Sequence, residues 1–139
     1  MNIVLDTNVL LVSIGRKSRF NPIFEALLQN KFNLFVSNEI LLEYTEILEK
    51  RANPTIARDV LDALIIRPNV HFVNYIYYHW QLVPKDPDDD KFIDCAVIAG
   101  ADYLVTNDKH YEEARKSPFP LVSIISAEEF LEIVTPMFS

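Results

Sequence analysis

Residues 85–110 read KDPDDDKFIDCAVIAGADYLVTNDKH. Four acids, Asp86, Asp88, Asp89 and Asp90, stand just ahead of a densely apolar segment, and a further acid, Asp108, follows the strand-like YLVT. The apolar spacing predicts a helix from Asp90 to Ala99 ended by Gly100, and then a strand opening at Tyr103. A solvated acidic turn would account for the first cluster alone. A second acid beyond the strand suggests that both face one place, with something positive between them.

The same alternation extends outward. Ile3 to Thr7 (IVLDT) is a short apolar run of buried-strand character, VLLVSI after it reads as helical, and Asn21-Pro22 is expected to cap and open a helix over IFEALLQN. FNLFVS from Phe32 is the next predicted strand. Ser37 is a cap for a helix through Arg51. Asn53-Pro54 opens another helix, in which Ala57, Leu61, Leu64 and Ile65 recur at helical spacing until Arg67-Pro68 ends it. VHFV at Val70 and LVSII at Leu121 are strands, the aromatic stretch after residue 73 is left unassigned, and Ser126 with Glu129 forms a capping box for the last helix. Strands alternating with helices imply an α/β fold, a parallel sheet covered on both faces. No linker or repeat interrupts it, so residues 1–139 are read as one domain.

Composition removes several function classes. With two glycines, neither a P-loop nor a dinucleotide fingerprint can be assembled. The lone cysteine, Cys95, sits among apolar neighbours, which suits burial rather than redox or zinc chemistry. No apolar run reaches the roughly 18 residues of a membrane helix, and the first residues lack a secretory pattern, so a soluble, cytoplasmic protein is expected. A net charge of −7 argues against a coat protein held on nucleic acid by counterion release. It does not argue against a nucleic-acid enzyme, because a bound cation inverts the field of the acids that hold it.

In open parallel sheets, ligands bind beyond the carboxyl ends of the strands. Asp6 ends the first strand and Asp108 follows YLVT, so both belong to that edge. Right-handed crossovers begin each helix where the preceding strand ends, which brings Asp90 there too. Glu43 lies about one and a half turns into the helix after Ser37. At roughly 100° per residue, it borders the stripe of Ile40, Leu41, Tyr44, Ile47 and Leu48. On geometry alone it is either a solvent-boundary glutamate or an acid entering a partly buried pocket. Asp94, one turn beyond Asp90, is read as a helix-surface acid or as a supporting residue, and Asp88 and Asp89 as capping and solvated loop acids. Four converging carboxylates would raise one another's pKa values unless a cation neutralised them, and oxygen-only ligands suit Mg²⁺ or Mn²⁺.

VLDTNVL at Val4, SNEILLEYTEIL around Glu43, DDDKFIDCAVIAGADYLVTND and the closing SIISAEEFL together resemble the PIN-domain ribonucleases, in particular the PIN toxins of prokaryotic toxin–antitoxin systems. The resemblance spans almost the whole chain. It implies an α/β/α sandwich, a metal-dependent endoribonuclease, and Asp6, Glu43, Asp90 and Asp108 as both the catalytic acids and the ligands of Mg²⁺ or Mn²⁺. It further implies Asn8 and Thr106 as polar residues orienting those acids. Asn107 stands where a small residue is common. An RNA substrate, a cognate antitoxin and a homodimer are the partners that follow, with no membrane.

For substrate grip, Arg16, Lys17 and Arg19 in GRKSRF are candidates for phosphate contact or a solvated charge run, while Lys91 and Lys109 neighbour Asp90 and Asp108. Phe72, Tyr75, Tyr77, Tyr78 and Trp80 would suit base stacking, but burial explains them more economically. His71, His79 and His110 show no ligand spacing, and local hydrogen bonding is expected of each. Two other readings are a housekeeping RNA-processing nuclease and a non-catalytic RNA- or protein-binding module, the latter disfavoured by the intact acids. A haloacid-dehalogenase-like phosphatase fits poorly, because the residue two after Asp6 is Asn8 rather than an aspartate.

Overall fold

The computed structural model describes residues 1–73, 90–118 and 122–138. Five parallel strands, β1 (Asn2–Leu5), β2 (Asn33–Val36), β3 (Val70–Phe72), β4 (Tyr103–Val105) and β5 (Ile124–Ile125), stand in the order β3-β2-β1-β4-β5. β1 lies at the centre, pairing Ile3 with Leu34 on one side and Val4 with Leu104 on the other. Ile3, Val4 and Leu5 are wholly buried. A continuous apolar run of this kind is what a strand covered on both faces requires.

Among the described residues the helices are α1 (Thr7–Ser13), α2 (Asn21–Leu28), α3 (Asn38–Arg51), α4 (Pro54–Ile66), α5 (Lys91–Ala99), α6 (Glu112–Lys116) and α7 (Ala127–Val134). Short 3₁₀ turns cover Lys109–Tyr111 and Thr135–Phe138. Ser37 accepts from the Ile40 amide and Asn53 from the Ile56 amide, while Ser126 and Glu129 form the expected reciprocal box. These side chains satisfy amides that the first helical turn leaves without a partner. α5 ends as its glycine predicts. Gly100 takes φ 61°, and the Ala101 amide reaches back 2.9 Å to the Ala96 carbonyl, closing a turn that a residue with a Cβ adopts at a cost.

Two local expectations are corrected. Asn21 is the first residue of α2 rather than its cap; Phe20 precedes the helix, and the Asn21 side-chain amide donates 3.0 Å to the Ser13 carbonyl, tying α2 to α1. Asp90, expected as the first residue of its helix, is instead the cap of α5, its carboxylate accepting from the Phe92 and Ile93 amides. Asp86, Asp88, Asp89, His79, and Tyr75, Tyr77, Tyr78 and Trp80 of the aromatic tract lie outside the described residues. Phe72, its first member, ends β3 with 53% of its surface exposed.

The core is closed from several sides. Tyr44 of α3 is fully buried, and its hydroxyl donates 2.6 Å to the Leu5 carbonyl. Phe130 of α7 meets Phe32 edge to face at 5.2 Å between centroids, joining the last helix to the entry of β2. The Tyr44 bond matters for the edge above it. It fixes the helix carrying Glu43 to the residue before Asp6.

Candidate functional site

Strand order reverses between β1 and β4: from β1 the chain steps outward to β2 and β3, then returns to β4 and moves the other way to β5. A crevice forms at such a reversal, beyond the carboxyl ends of the two strands, because the connections leave in opposite directions. Asp6 follows β1 and Thr106 to Asp108 follow β4. Here the Asp6 amide extends the ladder by donating 3.0 Å to the Val105 carbonyl.

Asp6 precedes α1, yet its side chain does not cap that helix. Its carboxylate instead accepts 2.7 Å from the Thr106 hydroxyl, and the residue is almost fully buried. The same Thr106 oxygen accepts 3.0 Å from the Asp108 amide, so one side chain fixes the first acid and the backbone of the last. Burial holds the Asp6 carboxyl above its ordinary pKa. The Thr106 and Thr7 hydrogen bonds work against that rise, and the charges of Glu43 and Asp108 add to it. Asp108 shows the opposite behaviour. Its exposed carboxylate accepts 2.9 Å from the His110 amide, and this bond, with the His110 ring 2.7 Å away, lowers its pKa.

Glu43 points from α3 toward the same crevice, about a third exposed, with Oε1 at 2.9 Å from the Lys91 ammonium and Oε2 accepting from the Thr7 hydroxyl. Asp90 uses Oδ1 for the Phe92 and Ile93 amides at 2.8 and 3.2 Å, and Oδ2 accepts 2.6 Å from the Tyr111 hydroxyl. Burial, with Asp90 beside it, pushes the Tyr111 phenol far above its usual range, so this hydroxyl remains a donor. Asp6, Glu43, Asp90 and Asp108 line one cavity of about 360 Å³ together with Thr7, Asn8, Lys91 and Tyr111. On the far side of Asp108 and Tyr111 a smaller polar cleft of about 120 Å³ includes Thr106, Asn107 and Arg115.

The other sequence-predicted residues fall elsewhere. Asp94 is half-buried on α5 and does not line the cavity. Arg16 borders an apolar groove between α1, α2 and α4, Lys17 is exposed, and Arg19 pairs with Glu128 of α7. His71 stacks on Phe35 at 5.0 Å between centroids. Asn107 uses its side chain to accept 3.0 Å from the Ala127 amide, fastening the end of β4 to the start of α7. The sequence reading missed Tyr111 and Thr7. Tyr111 lies three residues beyond Asp108, one 3₁₀ turn on, which is the only sequence signal that it would face the same crevice.

The donor set is all oxygen, which suits a hard divalent ion. Among the described residues, no three acidic, histidine or cysteine side chains close on a single point. Each of the four acids is engaged by a protein donor instead. One of those donors is itself a cation: Lys91 rests on Glu43 inside the cavity and stands in for positive charge there. Burial is the main reason that the Asp6 carboxyl is raised, and the charges of Glu43 and Asp108 add a smaller part. The residues therefore fit a divalent cation by chemistry and by field.

An open parallel sheet with an acid-lined crevice at its reversal point defines a class of α/β proteins that assemble a site from strand ends. The chain belongs to the PIN domain family, whose sequence profile matches residues 2–110. Among solved structures, a chain of VapBC2 from Rickettsia felis, bound to a DNA fragment from their promoter, is similar at 18% identity and a TM-score of 0.57, covering 91% of this chain and 98% of that one. VapC20 from Mycobacterium tuberculosis, described as a sarcin–ricin loop cleaving toxin, is 17% identical with a TM-score of 0.53, covering 81% of this chain and 94% of that one. At these identities the shared property is the fold, an α/β sandwich around a parallel sheet. A comparison with curated proteins returns no match.

Proposed function

We propose that this chain is a Mg²⁺- or Mn²⁺-dependent endoribonuclease acting in the cytoplasm as the toxin of a toxin–antitoxin pair. The observation that carries the reading is the Thr106 hydroxyl, which ties Asp6 to Asp108 at the reversal point of the sheet, in a cavity shared with Glu43 and Asp90. PIN-domain membership supports a nuclease. The R. felis and M. tuberculosis neighbours, one a VapBC complex and the other an RNA-cleaving toxin, support the antitoxin and RNA parts. Among the described residues, no helix is long and apolar enough to cross a membrane.

In this reading, Asp6, Glu43, Asp90 and Asp108 hold the cation. When bound, it supplies Lewis acidity, which makes a bound water acidic and offsets charge on the scissile phosphate. The protein's share is positioning. Thr106 sets the Asp6 carboxylate and the Asp108 backbone, Tyr111 orients Oδ2 of Asp90, and Thr7 orients Oε2 of Glu43. Asn8 lies at the mouth of the cavity, exposed, where it would hydrogen-bond substrate or ligand water. Arg16, Lys17 and Arg19 lie outside the cavity and would contact RNA phosphates away from the scissile bond.

The test is cleavage of single-stranded and structured RNA by purified protein in Mn²⁺. EDTA and Asp108→Asn should each stop it. Equal cleavage by Asp108→Asn would contradict the assignment. Induced expression should arrest growth, Asp6→Asn should not, and a co-expressed cognate antitoxin should restore it. Normal growth despite soluble, RNA-cutting protein would remove the toxin role and leave the nuclease.

A further inference from the structure

The acid cavity contains a cation of the chain's own. Lys91 is the first residue of α5, directly after Asp90, and its ammonium crosses to Glu43 on α3, 2.9 Å from Oε1. It also lies 5.2 Å from the centroid of the neighbouring Phe92 ring. The Lys91 and Glu43 side chains are 28% and 32% exposed, so water and salt screen the pair and it exchanges readily. A lysine head is a compact point charge on a flexible stem, which allows it to change partner without moving its helix.

We propose that Lys91 is a phosphate-binding residue of this site, held on Glu43 until a divalent ion takes that carboxylate, and then released to the RNA phosphate. This rests on the nuclease reading above. The physical argument is competition followed by reuse. A divalent ion carries twice the charge of an ammonium to the same carboxylate and draws on Asp6, Asp90 and Asp108 as well, so it displaces Lys91 from Glu43. The displaced ammonium stays tethered at the wall of the cavity, where the substrate brings negative charge. The exchange lets an otherwise purely acidic crevice accept a polyanion.

The two halves predict effects of opposite sign from one substitution, which a merely structural role would not produce. Lys91→Met keeps much of the apolar stem and removes the charge. It should tighten Mn²⁺ binding, read by calorimetry, by about two- to fivefold, the scale of a partly exposed ion pair. It should weaken binding of a short fluorescent single-stranded RNA, measured with Ca²⁺ in place of Mn²⁺, by a similar factor. The slope of log affinity against log salt should fall by about 0.7, one phosphate contact on a single strand. Lys91→Arg should keep RNA affinity near wild type, and Lys50→Met, at the exposed end of α3, should change neither, controlling for net charge. Lys91→Gln replaces the methionine variant if that one does not fold. Mn²⁺ affinity that is unchanged or weaker, or RNA affinity and salt slope that do not move, overturns the inference while wild type still binds both. Wild type that binds neither Mn²⁺ nor RNA overturns the nuclease reading and Lys91's part with it.

Discussion

Asp6 and Asp108 leave adjacent parallel strands at one edge of one sheet, and a single hydroxyl links them, yet the two acids respond to the fold in opposite ways. Asp6 is buried at the central strand, and desolvation raises its pKa despite the Thr106 bond. Asp108 sits on the open side of the crevice, where the His110 amide lowers its pKa against a smaller opposing effect of desolvation. The edge thus has a dry wall and a wet wall. A site of this kind keeps a carboxylate charged at some expense on one side and at ease on the other, which suits a cation held between them.

The largest effects should be on catalysis. Asp6→Asn and Asp108→Asn should each lower cleavage by about 100- to 1,000-fold, the scale of removing one charge-stabilising group from a transition state. Equal residual activity from both would fit one shared cation. Activity surviving in only one would divide the two walls functionally. Thr106→Val, which cuts the link between them, should cost about 10- to 100-fold in Mn²⁺ affinity or activity, as loss of a residue supporting metal ligands commonly does. Wild-type Mn²⁺ binding in that variant would mean that the walls are positioned independently.

Stability should separate the walls by sign. A carboxyl whose pKa is raised on folding opposes folding once ionised, so Asp6→Asn should raise the melting temperature at neutral pH. That advantage should fade as pH falls through the raised folded value toward the ordinary 3.8. Asp108, lowered on folding, contributes stability above 3.8 that is lost as pH falls through its folded value. Asp108→Asn should therefore lower the neutral-pH melting temperature slightly and match wild type in strong acid. Melting curves from acid to neutral pH check both signs. A separate effect, on stability alone, should come from the anchor below the site. Tyr44→Phe leaves the Leu5 carbonyl without its donor and should cost about 1–2 kcal/mol by urea denaturation.

What could be read from the sequence divides along similar lines. Capping by Ser37, Asn53 and the Ser126–Glu129 pair, and the stop at Gly100, are local events, visible within four residues of chain. The convergence of Asp6 and Asp108 was legible because a parallel sheet sends every strand end to one edge. Thr106 as an orienting residue came only through the family resemblance, and the other partners of the acids were not legible: Tyr111 to Asp90 and Lys91 to Glu43 depend on side-chain direction across separate elements. Asn21 shows the same limit at short range. Its pattern suited a cap, but the nearby Ser13 carbonyl offered its amide a partner.

The central claim is that the four acids hold one cation site at the reversal of the sheet. Anomalous diffraction from crystals soaked in Mn²⁺ tests it most directly. The account predicts a manganese peak within the cavity of Asp6, Glu43, Asp90 and Asp108, with carboxylate oxygens as direct ligands and Lys91 moved off Glu43. A saturated crystal with no peak there, or with manganese bound only elsewhere, would contradict it.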